Sequence, residues 1–267
     1  MFKSLKIIFT KFLVRTIGRT SDGIQMSFKY GFISGKMLDY IYANKPAGKF
    51  LIGKWIDRMY LSHPGWKVIR ERKDNLVRAL TRAIDLTLKG QKSVHILDVA
   101  SGPAQYIIDV LQRFPADTVA AVCRDYDPKW VEEGTRKAAA AGLTNISFEQ
   151  GDAFEADSFK EMTGTQDVVV SSGFYDWIVD DALVKKSMKI IYDVLRPGGY
   201  FVFTNQSGHV DLDMVEKIFI DFNKDPLRMK TRPEKLINGW AQDIGFEIVD
   251  TAADQKEYYS VTLALKK

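Results

Sequence analysis

A chain of 267 residues with a net charge of +4 and one cysteine has room for a large α/β domain with an accessory region. Cys123 alone excludes a disulfide framework and a cysteine-based zinc cluster, and predicts a reducing, cytoplasmic setting in which it is a small buried hydrophobe. The charge is unevenly spread: residues 1–90 hold 18 Lys and Arg against 6 Asp and Glu, a net +12, and residues 91–267 hold 20 against 28, a net −8. This separates a basic helical cap or substrate-lid region, 1–90, from a second domain, 91–267.

In the first 19 residues, Leu5, Ile8, Phe9, Phe12 and Leu13 recur at helical spacing beside Lys3, Lys6, Lys11 and Arg15. The pattern predicts a basic amphipathic helix, and its lysines interrupt the apolar run too often for a signal peptide or a spanning helix. Such a helix can lie on an anionic bilayer at the inner face of a membrane, each cation near the surface contributing about 1 kcal/mol. It can equally pack on its own domain, because Ile7 and Val14 fall on its polar face. From Gly31 to Asn75 the spacing of Met37, Leu38, Ile41, Leu51, Ile52 and Ile56 predicts short helices, separated by Pro46-Ala47-Gly48 and His63-Pro64-Gly65.

Val94 to Ala104, VHILDVASGPA, encodes a buried strand, a sharp turn and a helix start. Val94, Ile96, Leu97 and Val99 suit the strand; Ala100, Ser101, Gly102 and Ala104 let a ligand approach the backbone closely. A helix over Gln105 to Phe114 and a strand over Thr118 to Cys123 follow, closing on Arg124-Asp125-Tyr126-Asp127-Pro128. Asp125 stands one βαβ unit beyond Asp98, where an acid accepts hydrogen bonds from a ribose diol. A third strand, Asn145 to Gln150, ends in Gly151-Asp152-Ala153-Phe154, and Asp152 can accept from an adenine amine. Three parallel strands thus bring a small-residue loop and two carboxylates to one carboxyl edge, where open α/β sheets bind ligands.

At these residues the chain resembles the class I S-adenosylmethionine-dependent methyltransferases, from about Ser93 to Lys267. The resemblance implies a Rossmann-like seven-stranded sheet with its last strand antiparallel and S-adenosyl-L-methionine as cofactor. Asp98, Ala100, Ser101 and Gly102 then correspond to the methionine-side loop, Asp125 with Tyr126 to the ribose contact, Asp127 being the competing acid farther from the strand end, and Asp152, Ala153 and Phe154 to the adenine contact. Asp167 to Gly173 resembles the fourth strand and its loop under the sulfonium, which brings in Ser172 and Gly173, and Leu195-Arg196-Pro197-Gly198-Gly199 resembles the turn before strand five. Alanine stands at two positions where the family has glycine, 100 and 104. Phe246 to Asp250 and Glu257 to Leu265 resemble the terminal hairpin. A nicotinamide dinucleotide enzyme is the rival for such a fold, but the first loop lacks the glycines that cradle a pyrophosphate. Ser34-Gly35-Lys36-Met37-Leu38-Asp39-Tyr40 and Gly65-Trp66-x-x-Ile69-Arg70-x-Arg72 resemble a narrower bacterial methyltransferase group often joined to hydrolase or acyltransferase domains.

Methyl transfer needs alignment and desolvation more than bond activation, although a weakly acidic acceptor gains from a base. His209, in Asn205-Gln206-Ser207-Gly208-His209 after strand five, is the candidate base, with Gln206 its companion in the narrower group. Tyr175, in Ser171-Ser172-Gly173-Phe174-Tyr175-Asp176-Trp177, is the candidate substrate contact. Tyr60, Trp66 and Arg70 are candidates to close over the methionine end, Arg70 through a carboxylate. His95 reads as a core residue and His63 as a turn. The loop lacks the paired prolines of enzymes that flip nucleic-acid bases, so no DNA acceptor is expected. The acceptor expected is a hydrophobic small molecule or lipid-like compound; an RNA acceptor and a non-catalytic cofactor-binding subunit are the alternatives. Neither the methylated element nor the oligomeric state follows from the sequence.

Overall fold

The computed structural model describes the chain except Met1, Ile33 and residues 222–224; the side chains of residues 2–7 and Phe9 also lie outside the description. In chain order the helices are α1 (Phe2–Arg15), α2 (Asp22–Tyr30), α3 (Gly35–Ala43), α4 (Phe50–Leu61), α5 (Pro64–Leu88), α6 (Gln105–Leu111), α7 (Pro128–Ala140), α8 (Asp181–Val194), α9 (Leu212–Ile218) and α10 (Glu234–Ile244). The strands are β1 (Val94–Val99), β2 (Val119–Asp125), β3 (Ile146–Gln150), β4 (Gln166–Ser171), β5 (Leu195–Gln206), β6 (Phe246–Ala253) and β7 (Tyr259–Lys266). They form two compact units, one of Met1–Glu71 with His209–Met229, the other of Arg72–Gly208 with Lys230–Lys267.

The structural division falls inside α5, between residues 71 and 72, whereas the charge pattern drew the border after residue 90. The reason is α5 itself. Pro64 opens it at a position that needs no N–H, no glycine or proline stands between Gly65 in its first turn and Gly90, and Leu76, Leu80, Ala83 and Ile84 form a buried stripe that belongs to the sheet's core.

The first unit is helical. Ser21 and Ser34 cap α2 and α3 by accepting the N–H of Ile24 (3.1 Å) and Met37 (3.3 Å). Phe219 joins this unit from far along the chain: its ring stacks on Phe32 at 4.2 Å and meets Phe28 at 5.6 Å, while Phe32 also contacts Trp66 at 4.7 Å. The predicted N-terminal helix forms, but Ile8, Phe12 and Leu13 are exposed; Lys3, Leu5, Lys6 and Phe9 lie outside the described side chains. Leu51 and Ile52, read as part of an ordinary helical apolar pattern, are also exposed.

The second unit is built on a seven-stranded sheet in the order β3-β2-β1-β4-β5-β7-β6. β1 to β5 run parallel, and β7 enters antiparallel between β5 and β6. Apolar runs such as Val168–Val170 bury both faces, one under α5 and α6 and the other under α8 and α10, as a parallel sheet requires. Asp125 and Gln150 close their strands as register partners, so the carboxyl ends of β1 to β4 share one rim. Gly198 turns the chain at φ +78, and Gly199 passes so close to the Asp167 carbonyl that an added Cβ would sit 3.0 Å from it. His95 corrects its sequence reading. It is the second residue of β1, its side chain is 62% exposed because it stands at the amino-terminal end of the strand, and its Nδ1 lies 3.5 Å from Asp167.

Candidate active site

The loop after β1 is shaped by three left-handed residues. Ala100, Gly102 and Ala104 hold φ of +56, +54 and +48, so alanine carries out at two positions what glycine ordinarily does, at a cost of about 1–2 kcal/mol each. Ser101 fixes the turn, donating its N–H to the Arg124 carbonyl (3.0 Å) and its hydroxyl to the Gly102 carbonyl (3.0 Å). Asp98, next to last in β1, is fully buried, and the Tyr106 hydroxyl from α6 reaches both of its oxygens at 2.7 Å. Burial pushes the Asp98 carboxyl well above the usual carboxylate range, Tyr106 pulls it back down, and the neighbouring charge of Asp125 adds to the rise.

Asp125 links the strand ends. Its Oδ2 accepts the Gly102 N–H (2.8 Å) and its Oδ1 the Asp127 N–H (3.0 Å), so one carboxylate ties the first loop to the second. Burial raises its pKa, against the lowering by those N–H groups. Asp127 is used differently: it caps α7 by accepting the Lys129 N–H at 3.0 Å. Tyr126 stands exposed at the rim. On the third loop Asp152 accepts the Phe154 N–H (2.8 Å), Ala153 is buried, and the Phe154 ring lies 5.4 Å from Phe174. On the fourth, Ser172 is half-buried and Gly173, at φ +69, donates its N–H to Thr204 Oγ1 (2.7 Å). The predicted cofactor residues therefore lie on four consecutive loops of one rim.

Tyr175, the candidate substrate contact, is buried. It is 1% exposed, packs in the core under α8 with its hydroxyl 3.5 Å from Ser187 Oγ, and burial raises its pKa. The neighbouring Asp176 is the residue that sequence reasoning missed. It is buried, its Oδ1 accepts the Gln206 N–H (2.9 Å), and its Oδ2 pairs with Arg72 at 3.5 Å. Burial pushes its carboxyl up to about 6, while Arg72 and Arg232 pull it down. Arg232 is fully buried and ties the segment together, donating to the carbonyls of Tyr175 (2.7 Å) and Ile178 and pairing with Asp181 at 2.9 Å. Arg72 and Asp176 both stood inside quoted motifs, but only tertiary packing shows that they meet.

The remaining candidates belong to the first unit. Arg70 donates to the carbonyls of Leu61 (3.1 Å) and Ile41 (3.5 Å), Tyr60 shares a 2.7 Å bond with Ser27, and Trp66 is buried beside Tyr60. These three groups are employed in holding their own unit together. His209 Nδ1 accepts the Asp211 N–H at 3.1 Å, and burial with nearby His63 lowers its pKa. The ring is thus neutral at pH 7 with its proton on Nε2, and it acts as a base only after giving up the bond to Asp211. His63 lies at the α4–α5 turn, accepting the Gly65 N–H at 3.2 Å. Among the described residues no group of three His, Cys, Asp or Glu side chains is placed to hold a metal ion, and no helix is long and apolar enough to cross a membrane.

Comparison with known proteins agrees with this geometry. A family model described as "Putative methyltransferase" matches residues 2–266. The protein YnbC of Escherichia coli K12 is 30% identical over 263 residues, which cover 97% of this chain and 44% of that one. A malonyl-[acyl-carrier protein] O-methyltransferase of Chlorobium phaeovibrioides is 26% identical over 157 residues, 59% of this chain and 56% of that one. The chain spans about half the length of the curated relatives it matches. Among solved structures, the magnesium protoporphyrin IX methyltransferase of Synechocystis with bound S-adenosylhomocysteine superposes with a TM-score of 0.60 at 17% identity, over 95% of this chain and all of that one, a likeness of fold.

Proposed function

The chain belongs to this methyltransferase family and has the class I S-adenosylmethionine-dependent fold, and from that premise we propose that it transfers a methyl group (EC 2.1.1) from S-adenosyl-L-methionine to a hydrophobic small-molecule or lipid-like acceptor. The observation that carries the reading is the rim of carboxylates Asp98, Asp125 and Asp152 around a left-handed loop. Those groups are acceptors, and they fit a cofactor that offers an ammonium, a ribose diol and an adenine amine. They would repel a pyrophosphate. At Gly102 an added Cβ meets nothing within 4 Å, which leaves room for a ligand beside the backbone.

When bound, the cofactor supplies an electrophilic methyl on a sulfonium whose leaving group needs no help. The chain's contribution is to bind, orient and exclude water. Asp98 would hold the methionine end, Asp125 the ribose and Asp152 the adenine amine, while the segment from Ser172 to Asp176 is kept rigid by Thr204, Arg72 and Arg232. Asp98 also gains from cationic company, since burial disfavours its charge. His209 stands as the proposed base for an acceptor that must lose a proton, on the condition set by its bond to Asp211.

The test is release of S-adenosylhomocysteine in the presence of extracted lipids, quinols, phenols, amines and RNA. Turnover with the apolar fractions supports the reading. The net +12 of residues 1–90 favours RNA as a second reading, and RNA that binds with steep salt dependence and becomes methylated would replace the first. Cofactor binding with no release in any fraction would mean a regulatory subunit.

A further inference from the structure

One helix of the first unit is apolar on the side that faces solvent. In α4, Leu51 is 88% exposed, Trp55 59% and Met59 57%, at i, i+4 and i+8, with Ile52 (56%) on the same side. At the helix start Phe50, 84% exposed, holds φ +57, a conformation that bulky residues rarely adopt. The opposite face fixes this orientation. Gly53 passes so close to the Thr20 carbonyl that a Cβ would sit 2.3 Å from it, and Asp57 is buried beneath the helix. Asp57 accepts from Ser21 Oγ (2.5 Å), Gly23 N–H (2.9 Å), Ala47 N–H (2.9 Å) and the Tyr40 hydroxyl. Four donors hold one carboxylate, so α4 cannot roll its apolar side inward without stripping a buried charge of its partners.

We propose that this face of α4 docks on the surface of an anionic lipid bilayer. Charge chooses the occupant. Lys49, Lys54 and Arg58 are exposed along the same helix, and from residue 41 to 70 the sequence holds six Lys and Arg against a single carboxylate, the buried Asp57. Cations edging a stripe of Leu, Ile, Trp and Met suit headgroups above and acyl chains below. A second copy in a two-fold contact would set Lys54 and Arg58 against their own like charges. RNA would use the aromatic rings but leave Leu51, Ile52 and Met59 without a stacking partner. The contact differs from the one foreseen for the N-terminal helix, and it stands independently of the acceptor, since it is measured without methyl transfer.

The experiment is co-sedimentation of the full chain with vesicles of phosphatidylcholine alone and of phosphatidylcholine with phosphatidylglycerol. Leu51→Glu/Trp55→Glu tests the apolar face and Lys54→Glu/Arg58→Glu the cations, each variant first shown to keep its melting temperature and S-adenosylhomocysteine affinity. Expected is binding to the anionic vesicles that salt weakens, reduced about tenfold or more by either pair of substitutions. Absence of binding by the parent chain overturns the proposal. So does unchanged binding by Leu51→Glu/Trp55→Glu, which would assign the contact to α1. A dimer that the same variant turns into a monomer, with no vesicle binding, would make the face a copy interface, and loss of RNA binding alone would make it an RNA surface.

Discussion

Ala100 occupies a backbone region that favours glycine. Its φ of +56 is glycine's region, so Ala100→Gly is expected to raise stability by about 1 kcal/mol, and Ala100→Val to lower it by more than that, in urea unfolding. An unchanged Ala100→Gly variant would mean that the loop carries no strain. A second prediction concerns the buried pair. Arg72→Met leaves Asp176 without its nearest cation and is expected to cost about 3–5 kcal/mol. The sign with pH follows from linkage. The ordinary Asp value is 3.8 and Asp176 stands at about 6 in the fold, so its contribution to stability is fully present below 3.8 and is lost as pH rises through about 6. Without Arg72 the folded pKa climbs further and the loss extends to higher pH. The stability gap between parent and variant should therefore widen from pH 5 to pH 8; a constant gap would show that the ion pair is not what Arg72 supplies. The loop and its alanines were legible in the sequence as small residues. The ion pair was not, because its partners lie far apart in the chain and nothing local marks either as buried.

At the scale of elements, Asp125 and Asp127 sit two residues apart and serve different structures. Asp125 bridges two loops while Asp127 caps a helix. Asp125→Ala is expected to weaken S-adenosylhomocysteine binding by about 1–3 kcal/mol. Asp127→Ala should leave that affinity intact and cost about 1 kcal/mol of stability as a lost cap. Equilibrium binding beside thermal unfolding separates the two, and the reverse pattern would transfer the ribose role to Asp127. The strands that frame these acids were legible because apolar runs bounded by small and acidic residues leave few alternatives, and observed β1 coincides with the predicted Val94–Val99. Other boundaries moved: α6 stops at Leu111, three residues short of the predicted Phe114, and β2 runs on to Asp125. The cap resisted reading for a physical reason. Helical spacing identifies an apolar side but not what covers it, so Leu51 and Ile52 marked a helix without revealing that they are exposed.

For the molecule as a whole, two units share one chain, and the first is completed by His209–Met229. No local pattern announces that return; it is written in aromatic contacts such as Phe219 on Phe32, which join positions 187 residues apart in the numbering. The architecture of the second unit was legible because each motif constrained the next: strand, loop, acid and spacing recur in the register that one sheet order demands. The acceptor was not, because acceptor sites answer to the shape of a particular molecule rather than to a repeated backbone need. His209 belongs here, since its part in turnover depends on the acceptor. If the acceptor must lose a proton, His209→Ala is expected to lower kcat by about 10²-fold or more with cofactor affinity unchanged. Unchanged turnover would leave the ring its structural bond to Asp211.

If the carboxylates at the carboxyl ends of β1, β2 and β3 hold an adenosyl sulfur cofactor, calorimetric titration of the full chain with S-adenosylhomocysteine will detect it. Saturable binding at a single site is the predicted result, with no heat from NADH and with a melting temperature raised by the bound ligand. No binding of S-adenosylhomocysteine by the folded chain, or preferential binding of NADH, would contradict that role.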